Sequence, residues 1–149
     1  MASAERTYID PSALRSLYLH DDRSSAFCSW RRRVGGVLPI TRFGGAELVN
    51  SIRLGVHRGD IDDGTARCAV DQFDADVRDG NLTIVDTLWR RTLDLARDLS
   101  SRHSAELGTR TLDVLHVATA LTLEHRVFVS YDERQAALAK KVRLRCIAP

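Results

Sequence analysis

Three acidic residues in this sequence lie where a parallel α/β sheet would open, a fourth lies in the early turns of a helix, and carboxylates brought together in this way can bind a metal ion. Asp10 and Asp132 each follow a short β-favouring segment. Asp113 lies in the first turn of an otherwise apolar helical segment, and Glu47 lies in the early turns of another. Ligands of open α/β sheets bind outside the carboxyl ends of the strands, so acids that leave those ends can meet there.

The chemistry of such a group of acids is that of a hard divalent cation. Four carboxylates around one crevice would repel one another strongly unless a cation neutralised them. Ligation by oxygen alone indicates Mg²⁺ or Mn²⁺. Such an ion polarises a phosphoryl oxygen, lowers the pKa of bound water and holds an in-line geometry for phosphodiester attack. We therefore predict a catalytic metal site formed by Asp10, Glu47, Asp113 and Asp132.

Each acid also has a purely structural interpretation, which the sequence leaves open. Asp10 and Asp132 could be helix N-caps, and Asp113 could be favoured by the positive end of its helix. Glu47 could be a surface glutamate whose aliphatic stem packs along its helix. The combination of all four acids favours the metal site over these separate interpretations.

Residues close to the acids in sequence are candidates for secondary or substrate contacts: Ser12, Arg110, Thr111, His116 and Ser130. His116 follows Asp113 by about one helical turn, where it could supply a ligand or a proton, or could be a core histidine. Thr111 and Ser130 could hydrogen-bond metal-bound water or phosphate, or could cap helices. Arg110 could contact an RNA phosphate, or could be a solvent-exposed side chain.

The elements that would position these residues alternate along the chain. β-Favouring segments occur at residues 7–9, 37–41, 82–85, 127–129 and 142–147, with helical apolar spacing between them. Pro39 predicts that the second of these strands is a short or edge strand. We expect a three-layer α/β/α domain with a central parallel sheet of about four to five short strands.

Composition agrees with a single domain over residues 1–149, since 44% of the residues are hydrophobic and 28% are charged. Neither a run of roughly 18 apolar residues nor a signal peptide is present, so we expect a cytoplasmic protein that makes no membrane contact. Cys28, Cys68 and Cys146 are odd in number and widely spaced, which favours neither a disulfide framework nor a zinc site.

The net charge of +2 does not by itself indicate a nucleic-acid binder. Of the 22 basic residues only Lys140 and Lys141 are lysines. Arginine suits bidentate phosphate contacts, although a codon bias toward arginine would produce the same composition. Trp30 and Trp89 could stack on bases or could be buried in the core.

Four segments carry a recognisable pattern: YIDPSAL at 8–14, AEL at 46–48, TRTLDVLHVATA at 109–120 and VSYDER at 129–134. Together they resemble the PIN-domain ribonucleases of the VapC type, which are the toxins of type II toxin-antitoxin pairs. The resemblance covers nearly the whole chain, and the two late segments are its most specific part. It implies a metal-dependent endoribonuclease that cleaves single-stranded or looped RNA.

The resemblance also has implications for the site and its partners. The four acids correspond to the family's acidic quartet, which binds one or two divalent ions. Some relatives carry a further acid where this chain has His116. The family further implies a homodimer, and inhibition by a small VapB-like antitoxin. An antitoxin arginine among the acids would compete directly with the metal.

Other functions fit the sequence less well. A doubly wound phosphatase would place a second aspartate two residues after the first, where this chain has Ser12. A phosphoacceptor signalling domain would show adjacent early acids and a lysine at a late strand end, yet the only lysines are Lys140 and Lys141. The remaining alternative is a PIN-like RNA-binding or partner-binding module with weak or no catalytic activity.

Overall fold

The computed structural model describes residues 4–149, and strands alternate with helices along this part of the chain. The strands are β1 (Thr7–Ile9), β2 (Leu38–Thr41), β3 (Leu82–Val85), β4 (Val127–Val129) and β5 (Arg145–Ile147). The helices are α1 (Pro11–Tyr18), α2 (Ser24–Val34), α3 (Arg42–Arg58), α4 (Asp63–Arg78), α5 (Trp89–Leu107), α6 (Thr111–Thr122) and α7 (Glu133–Lys141). A short 3-10 helix, Ala4–Arg6, precedes β1.

All strand pairs among the described residues are parallel, as predicted. β4 lies between β1 and β5, and β2 pairs with β3. β2 also contacts β1, but the hydrogen bonding is divided into a three-stranded and a two-stranded sheet. The predicted α/β fold with parallel strands is confirmed, and its five strands are divided between two hydrogen-bonded sheets. Pro39 contributes to this division, because it has no N–H to donate from β2.

Helices cover both faces of the strands, which confirms the three-layer arrangement. Ile9 and Val129 point into one hydrophobic core, which α1 to α4 complete. Tyr8 and Phe128 point into a second core, which α5 to α7 complete. Because successive side chains of a strand point to opposite faces, the three-residue strands β1 and β4 contribute to both cores.

Local capping sets the ends of the helices that carry the acids. Thr41 caps α3 by accepting a hydrogen bond from the Gly44 backbone N–H, and Gly59 ends α3 in the left-handed conformation at φ 78°. The fifth strand expected within residues 142–147 is present as β5, which begins at Arg145 because Arg143 at φ 65° turns the chain before it. Over residues 4–149 no helix is both long and apolar enough to span a membrane.

Candidate active site

A cavity of about 470 Å³ opens beside the ends of β1 and β4. Its lining contains the four predicted acids together with three of the predicted secondary residues and three others: Asp10, Ser12, Glu47, Arg110, Thr111, Leu112, Asp113, Asp132, Arg134 and Gln135. His116 and Ser130 lie behind this lining, in contact with its acids. The structure therefore brings all nine predicted residues together around one space.

Asp10 is the most deeply buried of the four acids. Its Oδ2 accepts hydrogen bonds from the hydroxyls of Ser12 and Ser130, the latter at 3.3 Å. Its side chain makes no cap hydrogen bond to α1, so the N-cap interpretation of this carboxylate is wrong. Burial raises the pKa of Asp10, while its interaction with His116 lowers it in part. A buried carboxylate of this kind gains most from a nearby cation.

Glu47 is held by a histidine from the far side of the cavity. Nε2 of His116 lies 2.7 Å from Oε2 of Glu47, and Nδ1 of His116 lies 2.6 Å from the hydroxyl of Tyr8. Burial raises the pKa of the Tyr8 hydroxyl, so this group keeps its proton. We therefore assign the Tyr8 hydroxyl as donor to Nδ1, which leaves Nε2–H to donate to Glu47.

Asp113 and Asp132 each accept backbone hydrogen bonds at the start of a helix and also line the cavity. The backbone N–H of Arg110 donates to Asp113 Oδ2 at 2.8 Å. Asp132 caps α7 through Oδ1, which accepts hydrogen bonds from the backbone N–H groups of Arg134 and Gln135. The capping predicted for Asp132 is therefore present, and its carboxylate also lines the cavity.

Arg134 lies between these two acids. Its Nε is 3.5 Å from Asp113 Oδ2, and one of its terminal nitrogens is 3.4 Å from Asp132 Oδ2. Gln135 follows, with Nε2 3.4 Å from Asp113 Oδ1. Asp113 and Asp132 are thus both contacted by the guanidinium of Arg134, and Asp113 is also contacted by the amide of Gln135.

Sequence reasoning missed the contacts that Tyr8 and Gln135 make in the site. Gln135 carries a weak signal, because it follows Asp132 at the three-residue spacing of a capping box. Tyr8 carries an even weaker signal, because a tyrosine in a strand most simply indicates β propensity. Its partner His116 lies 108 residues away in sequence.

The donor set fits a hard divalent cation. Four carboxylates line the cavity, sulfur ligands do not, and the most buried carboxylate has a raised pKa. Within residues 4–149, however, no group of three or more acidic, histidine or cysteine side chains is placed closely enough to hold an ion. In this arrangement His116, Arg134 and Gln135 each contact one or two of the acids.

Comparison with known proteins gives one result for nearly the whole chain. A family model described as the PIN domain matches residues 7–141. This range contains every residue that lines the cavity. No curated protein matches the chain.

Proposed function

The chain belongs to the PIN domain family, generally a nuclease fold, and we propose that it is a metal-dependent endoribonuclease of the VapC type, the toxin of a toxin-antitoxin pair. The observation that best supports this proposal is the convergence of Asp10, Glu47, Asp113 and Asp132, from four separate chain segments, on one cavity. Nucleases of this family generally use divalent metals, and the acids are of the type that binds Mg²⁺ or Mn²⁺.

In the proposed mechanism the four acids would hold the ion, which would supply Lewis acidity toward a phosphoryl oxygen and toward the attacking water. The protein's own residues position these groups. His116 holds the Glu47 carboxylate, and Gln135 orients Asp113. Arg110 is exposed on the cavity lining, which supports a proposed contact with the RNA backbone.

The hydroxyls of Ser12, Thr111 and Ser130 have different places in this mechanism. Ser12 and Ser130 donate to the buried Asp10 carboxylate and stabilise its charged form. Thr111 is exposed in the cavity lining, where its hydroxyl can reach a substrate phosphate.

Cleavage of labelled total RNA by the purified protein tests the proposal. We expect discrete products with Mg²⁺ or Mn²⁺ and none with a chelator. Asp113→Asn should abolish cleavage, whereas Asp74→Asn, on the exposed surface of α4, should leave it unchanged. Circular dichroism should show both variants folded. Undiminished cleavage by both Asp10→Asn and Asp113→Asn would overturn the assignment of the acids.

We propose two protein partners, a second copy of the chain and a small VapB-like antitoxin. Arg134 supports the second, because a guanidinium is already accommodated between Asp113 and Asp132. An antitoxin arginine would compete with metal in the same way. Co-expression with the adjacent gene tests this partner: a stable complex without RNase activity, active again after the partner is removed, is the expected result.

One observation favours a second function, that of a PIN-like RNA-binding or partner-binding module without turnover. Protein groups contact the acids of the cavity, and within the described residues no three of them lie close enough together to hold an ion. Such a module would bind RNA equally well with chelator and with metal. It would release no products under either condition.

A further inference from the structure

The two tryptophans of the chain occupy opposite environments. Trp30 exposes only 6% of its surface and packs against Phe27, as expected for a core residue. Trp89 exposes 47% of its surface at the first residue of α5, so the core interpretation is wrong for this residue. An exposed indole offers a large, flat apolar face of the kind that is enriched at binding interfaces.

Trp89 is the outer member of a row of rings that ends at His116, behind the lining of the acid cavity. The centroids of Trp89 and Phe43 are 5.4 Å apart, at an interplanar angle of 49°. Phe43 in turn stacks on His116, at 5.1 Å and 27°. His116 hydrogen-bonds Glu47 at 2.7 Å. The exposed indole is therefore connected to a catalytic acid by direct ring contacts.

The charges near this row suit a polyanion. Arg90 and Arg91 follow Trp89 in the first turn of α5 and are exposed, whereas the exposed Arg42, which precedes Phe43, forms an ion pair with Asp86 at 3.1 Å. The start of a helix also carries partial positive charge, which favours phosphate. The side chain before α5 is Leu88, which has no polar atom to cap these N–H groups.

We propose that Trp89 stacks against an unpaired base of single-stranded RNA whose backbone runs from Arg90 and Arg91 toward the acid cavity. The inference rests on the proposed ribonuclease function and adds a substrate contact to it. Base stacking on an aromatic side chain does not depend on base identity, because every base presents a π-face. A base inside a duplex has its faces covered by its neighbours, so this contact selects unpaired segments.

The apolar surface around Trp89 could also be covered by a second copy of the chain. Leu88, Leu93 and Leu112 are also exposed near the starts of α5 and α6. The arginines favour RNA, because two copies meeting through this surface would bring Arg90 and Arg91 close to like charges. RNA phosphates would instead neutralise them.

Binding of a fluorescein-labelled, single-stranded oligoadenylate in chelator tests the inference without any cleavage. Trp89→Leu should weaken binding by about tenfold, and Trp89→Phe should weaken it less, because the ring remains. The matched control is Leu93→Ala, which removes exposed apolar surface one turn later on α5 and should leave the affinity unchanged. Indole fluorescence should be quenched by the single strand but not by a duplex of the same length.

The inference is overturned if Trp89→Leu binds the oligoadenylate as tightly as the unaltered protein does. It is also overturned if Leu93→Ala weakens RNA binding as much as Trp89→Leu does, or if both convert a dimer to a monomer in sedimentation. Its failure is distinguishable from that of the proposed function. If the protein cleaves RNA with metal but Trp89→Leu binds RNA normally, only the stacking site is overturned. If the single strand quenches the indole fluorescence but no metal supports cleavage, only the nuclease proposal is overturned.

Discussion

Nε2 of His116 lies 2.7 Å from Oε2 of Glu47, and this contact links an acid of α3 to a buried residue of α6. His116 is fully buried, whereas about a third of the Glu47 side chain is exposed. An exposed glutamate ordinarily samples several rotamers, so its position here depends on the histidine. The histidine depends in turn on the Tyr8 hydroxyl at its other nitrogen.

Removing that hydroxyl should weaken metal binding. We expect Tyr8→Phe to raise the Kd for Mn²⁺ by about tenfold, because the hydroxyl that orients His116, and through it the Glu47 carboxylate, is lost. The phenyl ring would keep its stacking on Phe128. Calorimetric titration with Mn²⁺ measures the effect.

The control for Tyr8→Phe is Tyr18→Phe, which removes a hydroxyl bonded to Asp76 far from the cavity. Its Kd for Mn²⁺ should be unchanged. His116→Gln should retain more affinity than His116→Ala, since the amide can still donate to Glu47. Equal Mn²⁺ affinity for Tyr8→Phe and the unaltered protein would contradict the positioning role.

Removing the guanidinium from the cavity should strengthen metal binding. Arg134 is half-buried and neutralises Asp113 and Asp132 in the absence of metal, so a cation must compete with it. We expect Arg134→Ala to lower the Kd for Mn²⁺ by roughly two- to fivefold, the size of a partly exposed ion pair. Arg102→Ala breaks an exposed pair with Asp98 and should have no effect. Weaker Mn²⁺ binding by Arg134→Ala would show that this residue does not compete with metal.

The cap of α3 should contribute measurably to stability. Thr41 is buried, and its hydroxyl accepts the Gly44 N–H at 3.0 Å. We expect Thr41→Val to lower the free energy of unfolding by about 1 kcal/mol. Urea denaturation in chelator measures it. Thr83→Val, on the exposed side of β3, retains the β-branch and should be nearly neutral; an equal loss in both variants would refute the capping contribution.

Acid should destabilise the protein through a histidine outside the active site. His125 is buried, its Nδ1 has no hydrogen-bond partner among the described residues, and burial lowers its pKa. The unfolded chain then binds more protons than the folded chain as the pH falls below about 6.5, so stability decreases there.

His125→Gln should reduce this pH dependence, measured as urea midpoints between about pH 5 and pH 7. His57→Gln, an exposed histidine in the last turn of α3, is the control and should leave the slope unchanged. The slope is the relevant quantity, because His125 also contacts the Tyr8 ring and its loss can lower stability at every pH. An unchanged slope in His125→Gln would assign the acid sensitivity to other groups.

Local patterns predicted most of the elements but few of the contacts between them. β1, β3 and β4 begin and end where their β-branched and aromatic residues indicate, and Gly59 ends α3 as expected. Those signals act within a few residues of the chain. The bond between His116 and Glu47 joins residues 69 apart in sequence, and no local pattern specifies such a contact.

The exposure of Trp89 could not be predicted from the sequence either. An indole in an amphipathic segment indicates packing, and which helix face is buried depends on neighbouring layers. The division of the sheet was partly accessible, because Pro39 indicated a short or edge strand. The placement of Asp10, Asp113 and Asp132 followed from general topology, since strands that run in parallel open at the same end.

The pairing of β1 with β4 also determines when the cavity can form during synthesis. Thr7 pairs with Val127, and Asp10 reaches Ser130 only across the same junction. Contacts between residues so far apart in sequence form late and slowly. A ribosome that has not yet released residues 127–132 therefore carries a chain without an assembled acid site. If the chain is the proposed ribonuclease, the message being translated is protected from its own product until translation of this domain is almost finished.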